Sequence, residues 1–340
     1  MEGTNRDSPG NPNGELAALR LIGSILPGAP AGQVWMGDDA AWVETGGGHL
    51  LVTVDAVVEG VHADLSLVGL DDFGWRAVTT AVSDIAAMGG TAGQLLVSVA
   101  GPPGTDLGLL YTGIREAARH CGAVVVGGEL STAPALVVVV TVLGRIEDGG
   151  EGDKEGRRGV DQAALPVLRS GASPGDAVVV TGELGAAAAG LRLLRSGTGD
   201  PDASEAVAVA AHKRPAARLT EGRTARGCGA TAMIDVSDGL ASDLRRIAEA
   251  SAVGIRIEVL PVARCATEQE AICGGDDYEL IVCTREPEML VEEFEKRGLR
   301  RPILIGKCLK DPSELLLGDL PLPDCGWAHP FDLPKKSPDL

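Results

Sequence analysis

Aromatic residues are scarce in this 340-residue chain, at 3%. Any core must therefore be filled by Val, Leu, Ile and Ala, drawn from a hydrophobic fraction of 44%. No GxxxxGK[ST] segment occurs, so a nucleotide cannot be held by a P-loop. The seven cysteines form no CxxC pair. A zinc ribbon is therefore excluded, and buried free thiols in a reducing cytoplasm are expected in place of a disulfide framework. No apolar run approaches the roughly 20 residues of a membrane span. Residues 1–14 are polar, with Pro and Gly, and are expected to form a disordered tail, not a signal peptide. Basic residues are outnumbered, 30 to 48, for a net charge of −18. That balance argues against a nucleic-acid backbone as partner. It leaves nucleotides open, because divalent cations can bridge carboxylates and phosphates.

What is present is alternation. Helical spacing at Glu15–Leu26, Asp71–Met88 and Asp106–His120 is interleaved with apolar runs at His49–Val54, Gln94–Ala100 and Ala123–Val126. Ala135–Leu143 is a long run rich in β-branched residues and reads as a central strand. From Glu147 to Asp161 almost nothing is apolar, which predicts an exposed loop. Beyond it, strands at Ala177–Thr181, Ile255–Val259, Leu280–Cys283 and Ile303–Lys307 alternate with further helical patterns. The expectation is an α/β protein of α+β layers in two α/β domains. The N-terminal domain covers 15–146, an exposed linker 147–168, and the C-terminal domain 169–340.

Acids beside Gly or Ser recur at the ends of the apolar runs: Asp38 and Asp39, Asp55, Glu129, Asp235 and Asp238, Asp276 and Asp277. Asp84 adds one at a helix end. The densest stretch is Ala232–Asp243, where a short strand runs into Asp235-Val-Ser237-Asp238-Gly239 and then a helix. Any one such acid is more often a turn or cap residue than a ligand. Their recurrence points to a shared site. Clustered carboxylates raise one another's pKa values unless cations occupy the site. Oxygen ligands without His or Cys suit Mg²⁺.

Taken together, GDDAA at 37–41, TVDAVVEGVH at 53–62, SDIAAMG at 83–89, VGGE at 126–129, RSGASPGD at 169–176, IDVSDGL at 234–240 and GGDDYEL at 274–280 resemble the thiamine-monophosphate kinases. These belong to the aminoimidazole ribonucleotide synthetase-like superfamily. The resemblance spans about Glu15 to Phe331. It implies ATP-dependent phosphorylation of thiamine monophosphate to thiamine diphosphate, with several Mg²⁺ ions, in a homodimer paired through its N-terminal sheets. It implies metal ligation by Asp39, Thr53, Asp55, Asp84, Glu129, Asp235 and Asp238, and by the carbonyl of Val54. Tyr111, Gly128, Glu129, Arg169 and Ser237 would contact ATP. His62, Asp276 and Trp327 would face thiamine monophosphate. No catalytic base is implied, because the acceptor phosphate oxygen is already anionic. This chain has Val54, Ala81, Glu129, Asp276 and Trp327 where the family usually has Thr, Asn, Asp, Glu and Tyr. These departures leave two alternatives: a superfamily paralogue with another small acceptor, and a nucleotide-binding protein without catalysis.

Overall fold

The computed structural model describes residues 12–147, 165–197 and 201–331. The tail expected over 1–14 lies outside the described residues except for its last three positions, which are helical. The loop expected over 147–161 lies outside them after Glu147.

The first half runs α1 (Pro12–Ile25), β1 (Ala41–Thr45), β2 (Gly48–Val58), α2 (Leu70–Ala87), β3 (Thr91–Gly101), α3 (Leu107–His120), β4 (Val124–Thr132) and β5 (Val137–Arg145). Its five strands form one sheet in the order β1-β2-β5-β3-β4, all antiparallel except β3 with β4. The β-branched run does lie at the centre, as β5. One face of the sheet is covered by α2, itself packed on α3. Val97, Val99, Val138, Val140 and Val142 meet Phe73, Val78, Val82 and Ile85 there. The alternation of strand side chains leaves the other face open.

The second half runs β6 (Ala177–Val180), α4 (Ala186–Ser196), α5 (Ala203–Lys213), α6 (Leu219–Gly227), β7 (Ala232–Asp235), α7 (Leu240–Ser251), β8 (Gly254–Ile257), α8 (Glu268–Cys273), β9 (Leu280–Thr284), α9 (Pro287–Lys296), β10 (Ile303–Leu309), β11 (Leu315–Leu317) and β12 (Leu320–Pro321). Its seven strands are ordered β12-β11-β8-β10-β6-β9-β7, antiparallel except β8 with β11. The site lies where the halves meet. The C-terminal end of α2 is buried in the second half, with Ala86 and Ala87 packed among Val179, Ala225, Met233, Leu280 and Val282.

Two acids expected at strand ends stand inside strands. β2 continues three residues past Asp55, and β4 runs through Gly127-Gly128-Glu129 to Thr132. Each segment stays in register with a long neighbouring strand, β5 or β3, and that pairing outweighs the local turn signal. The cysteine expectation also needs correction. Cys121, Cys228, Cys283 and Cys308 are buried free thiols and Cys265 is free and half-buried, but Cys273 and Cys325 are disulfide-bonded. The pairing is formed by a tail that folds back 52 residues later in the chain onto the end of α8, which no local pattern encodes.

Candidate metal and nucleotide site

The site is assembled from four places in the chain. Asp39 lies in the turn before β1, Thr53 and Asp55 on β2, Asp84 on the last turn of α2, and Asp235 at the end of β7. Carboxylate oxygens of Asp39, Asp84 and Asp235 all lie within 4.8 Å of one another. Thr53 Oγ1 donates to Asp84 Oδ2 at 2.5 Å. Ser83 Oγ donates to Asp235 Oδ2 at 2.5 Å, so adjacent residues of α2 meet β7 through a hydroxyl and a carboxylate. Arg169 closes the cluster: its Nη2 lies 2.6 Å from Asp39 Oδ1, and its backbone N–H reaches the Asp38 carboxylate.

Electrostatics follow from the crowding. Burial pushes Asp235 up to about 7, with Asp39 next to it adding to the rise. Burial and then the charge of Asp235 hold Asp84 well above the ordinary range. Burial raises Asp55 to about 6, helped by Asp238 and Asp276, and Asp38 to about 6, helped by Asp39. Asp55 in turn raises Asp84 and Asp238 raises Asp235, whereas Asp276 acts on Asp55 and Asp238. Asp39 Oδ2 is buried without a hydrogen-bond partner among the described residues. Three oxygen donors, an adjacent hydroxyl, an orphaned buried carboxylate oxygen and no His or Cys fit a hard divalent cation.

Asp238 sits in the turn before α7 and is paired with Arg246. Arg246 also holds the fully buried Asp243 at 3.2 Å, and Asp243 Oδ2 accepts the backbone N–H groups of Asp238 (3.2 Å) and Gly239 (3.1 Å). Ser237 turns its carbonyl to the N–H of Asp276 at 2.9 Å. Asp276 is paired with the buried Arg76. Burial lifts its carboxyl, but Arg76 prevails and holds it below the ordinary range. Asp277, its neighbour, belongs to the fold and not to the cluster. It accepts the N–H groups of Gly185 (2.6 Å) and Ala187 (3.1 Å) at the start of α4.

At the rim, the ring of His62 lies 5.3 Å from that of His329, which lies 5.9 Å from Trp327. Trp327 N–H donates to the Asp238 carbonyl at 2.9 Å, and its Nε1 is buried without a partner among the described residues.

Val54 lies between Thr53 and Asp55 on β2 with its side chain toward the open sheet face, 61% exposed, so only its carbonyl is left to serve the site. Three of the residues singled out from sequence stand apart. Gly128 is aligned with Asp55 across Val97 and Val140, three strand spacings or roughly 14 Å away. Glu129 is registered with Ser98 on the open face. Tyr111 lines a cavity of about 380 Å³ between α3 and β4, with Arg115, Arg119, Val124 and Val125.

Sequence reading missed Arg76, Ser83 as a partner of Asp235, Asp243, Arg246 and His329. Asp243 and Arg246 carried a signal only in hindsight. They sit one helical turn apart on α7, at the i, i+3 spacing that lets them meet.

The halves match, in turn, the N-terminal domain of AIR synthase related proteins over residues 37–146 and their C-terminal domain over 173–316. The chain is 38% identical over 301 residues to the thiamine-monophosphate kinase of Bacillus subtilis, covering 83% of this chain and 88% of that one. The chain belongs to the thiamine-monophosphate kinase family. A Mycobacterium tuberculosis member is 37% identical over 300 residues, covering 83% of this chain and 80% of its own length. Among solved structures, AaThiL complexed with AMPPCP and TMP superposes with a TM-score of 0.79 at 27% identity, over 96% of this chain and 100% of that one. The acid cluster of this family member draws on both matched domains, with Asp39, Thr53 and Asp84 from the first and Asp235 from the second.

Proposed function

We propose that this protein transfers the γ-phosphoryl group of ATP to thiamine monophosphate, giving thiamine diphosphate and ADP. The observation that carries this reading is the convergence of the Asp39, Asp84 and Asp235 carboxylates within 4.8 Å, in a chain of this family. Asp39, Asp84 and Asp235, with Thr53, Asp55 and Asp238 beside them, would hold Mg²⁺. Bound Mg²⁺ supplies charge neutralisation at the transferring phosphates. The chain's own groups supply the rest. Arg169, tied to Asp39, is placed to turn its fork of donors onto phosphate oxygens. Ser237, beside the cluster, would serve as a nucleotide contact, and Tyr111, Gly128 and Glu129, which stand apart from it, would meet only the end of the nucleotide remote from the transferring phosphate. His62, Asp276 and Trp327 hold thiamine monophosphate at the rim. The acceptor oxygen is anionic before the reaction, so catalysis is positioning and charge neutralisation, without a base.

The working form in this reading is a homodimer. The face of the first sheet opposite α2 is apolar and open: Val54 and Leu96 share it across Thr141, and β4 is exposed at all but one residue. Pairing two such faces would remove both apolar surfaces from water. No described helix is long and apolar enough to cross a membrane. We place the enzyme in the cytoplasm, where ATP is supplied.

The test is ADP release with purified protein, ATP and Mg²⁺, with and without thiamine monophosphate. Release that requires both the acceptor and Mg²⁺ is expected. ATP turnover indifferent to thiamine monophosphate would overturn the substrate assignment.

A further inference from the structure

The one disulfide among the described residues stands at the rim of the site. Cys273 is the last residue of α8 and leads directly into Gly274-Gly275-Asp276. Its backbone presses on Gly239, the residue after Asp238. A Cβ placed at Gly239, whose φ is +116°, would lie 2.9 Å from the Cys273 carbonyl carbon. Its partner Cys325 begins the final segment, 325–331. Upstream, the carbonyls of Leu322 and Pro323 are held by Arg245 at 2.8 and 2.7 Å. Downstream, two backbone bonds hold the segment to the body. Trp327 N–H donates to Asp238 O, and His329 N–H donates to Glu15 Oε2 at 2.6 Å. These bonds seat His329 against His62, with Trp327 packed on His329. Both bonded cysteines are half-buried, within reach of a small reductant.

We propose that the Cys273–Cys325 bond is the positioning element for this substrate-facing segment, so that the affinity for the acceptor depends on the redox state of the pair. The inference rests on thiamine monophosphate being the acceptor. The acids Asp39, Asp84 and Asp235 are carried by the first half and β7, and the segment touches Asp238 only at its carbonyl, its carboxylate being held by Arg246. Opening the bond therefore loosens the ring pocket and leaves the phosphoryl-transfer centre in place. Substrate must then order the segment as it binds, which weakens binding without changing the step that follows. The chemistry is thiol–disulfide exchange. A dithiol reductant attacks one sulfur, the S–S bond breaks, and a mixed disulfide forms. The reductant's second thiolate then displaces the protein sulfur, leaving two protein thiols and the oxidised cyclic reductant.

The experiment compares the full-length protein oxidised, treated with dithiothreitol, and as the Cys325→Ser variant. A thiol count follows the bond from five free cysteines to seven. On opening, the KM for thiamine monophosphate is expected to rise about tenfold, with kcat and the KM for ATP changing less than about twofold. Cys325→Ser should show the same raised KM and no response to dithiothreitol, and it supplies the open state if the reductant fails to reach the bond. An unchanged KM in the open state overturns the proposal, as does a loss confined to kcat. Absence of thiamine-monophosphate-dependent turnover in every state would sink the functional reading instead. Hydrogen exchange then decides the anchoring by itself. Faster exchange at the amides of Trp327 and His329 on opening supports it, and unchanged exchange overturns it.

Discussion

Arg76 Nη2 lies 2.8 Å from Asp276 Oδ2, across 200 residues of sequence and the boundary between the two halves. The Arg76 side chain is 2% exposed, that of Asp276 36%. The same guanidinium donates to the carbonyls of His62 and His212. One buried cation from α2 therefore orients two of the residues proposed to face the acceptor. Tyr278 and Thr80 extend the network, with the Tyr278 hydroxyl 3.1 Å from Asp276 and 2.8 Å from Thr80.

Removing the carboxylate should cost more than the contact itself, because the buried charge of Arg76 would be left uncompensated. Asp276→Ala is expected to lower unfolding free energy by about 3 kcal/mol, the lower end for a broken buried pair, since Asp276 is partly solvated. Asp276→Glu should retain most of that stability. Denaturant melts of the three proteins check this, and a loss under about 0.5 kcal/mol for the alanine variant would show that Arg76 is satisfied by its carbonyls alone.

The acid cluster predicts an inverted pH response. Asp38, Asp55 and Asp235 have folded-state values of about 6 to 7, above the ordinary 3.8. The folded protein therefore holds protons the unfolded chain has released. Their contribution to stability is complete below the unfolded value and is lost as pH rises through about 6 to 7. In a chelator, the melting temperature should fall between about pH 5.5 and 8. Saturating Mg²⁺ favours the ionised carboxylates and should flatten or reverse that slope. Thermal scans across this range, with and without Mg²⁺, make the comparison. An identical slope in both would argue against the carboxylates as the metal site.

Ser83 and Asp243 touch proposed ligands and leave the substrates alone, so they should act through the metal. Ser83→Ala frees the Asp235 carboxylate from its hydroxyl, and Asp243→Asn weakens the hold on Asp238. Each is expected to weaken Mg²⁺ binding by about 10- to 100-fold, with activity recovered at high Mg²⁺. Asp235→Asn should lose activity by on the order of 100-fold or more at any Mg²⁺ concentration. Mg²⁺ titrations of initial rate separate the two behaviours.

The open sheet face gives a prediction independent of catalysis. Val54→Glu places a charge at the middle of the proposed dimer face, where burying it unpaired is unfavourable. Sedimentation should shift from dimer to monomer, with the helix content of the protomer unchanged. A dimer that survives the substitution would move the interface elsewhere.

Much of this could be read along the chain, and the failures share one cause. The central strand β5, the helices α2 and α3 and the acid-bearing stretch 234–240 were legible, because periodicity and strand-to-helix turns are local. Asp235 and Asp277 looked alike in sequence, each an acid at the edge of an apolar run. One joins the cluster and the other caps α4, since a cap and a ligand carry the same local signature. Asp55 and Glu129 looked alike as well, yet register sends Asp55 toward Asp238 and Asp276 and Glu129 to the open face.

Local pattern and motif order settled the two-layered halves, the family and the oxygen-rich character of the chemistry, because those depend on residues near one another in the chain. Packing alone chose which acids meet, drew Ser83 to Asp235 across 152 residues, and buried Arg76 beneath Asp276. It also closed the tail over the rim through Cys325. Those contacts join side chains whose distance is set by how α2 wedges between the sheets, and no spacing in the sequence encodes it.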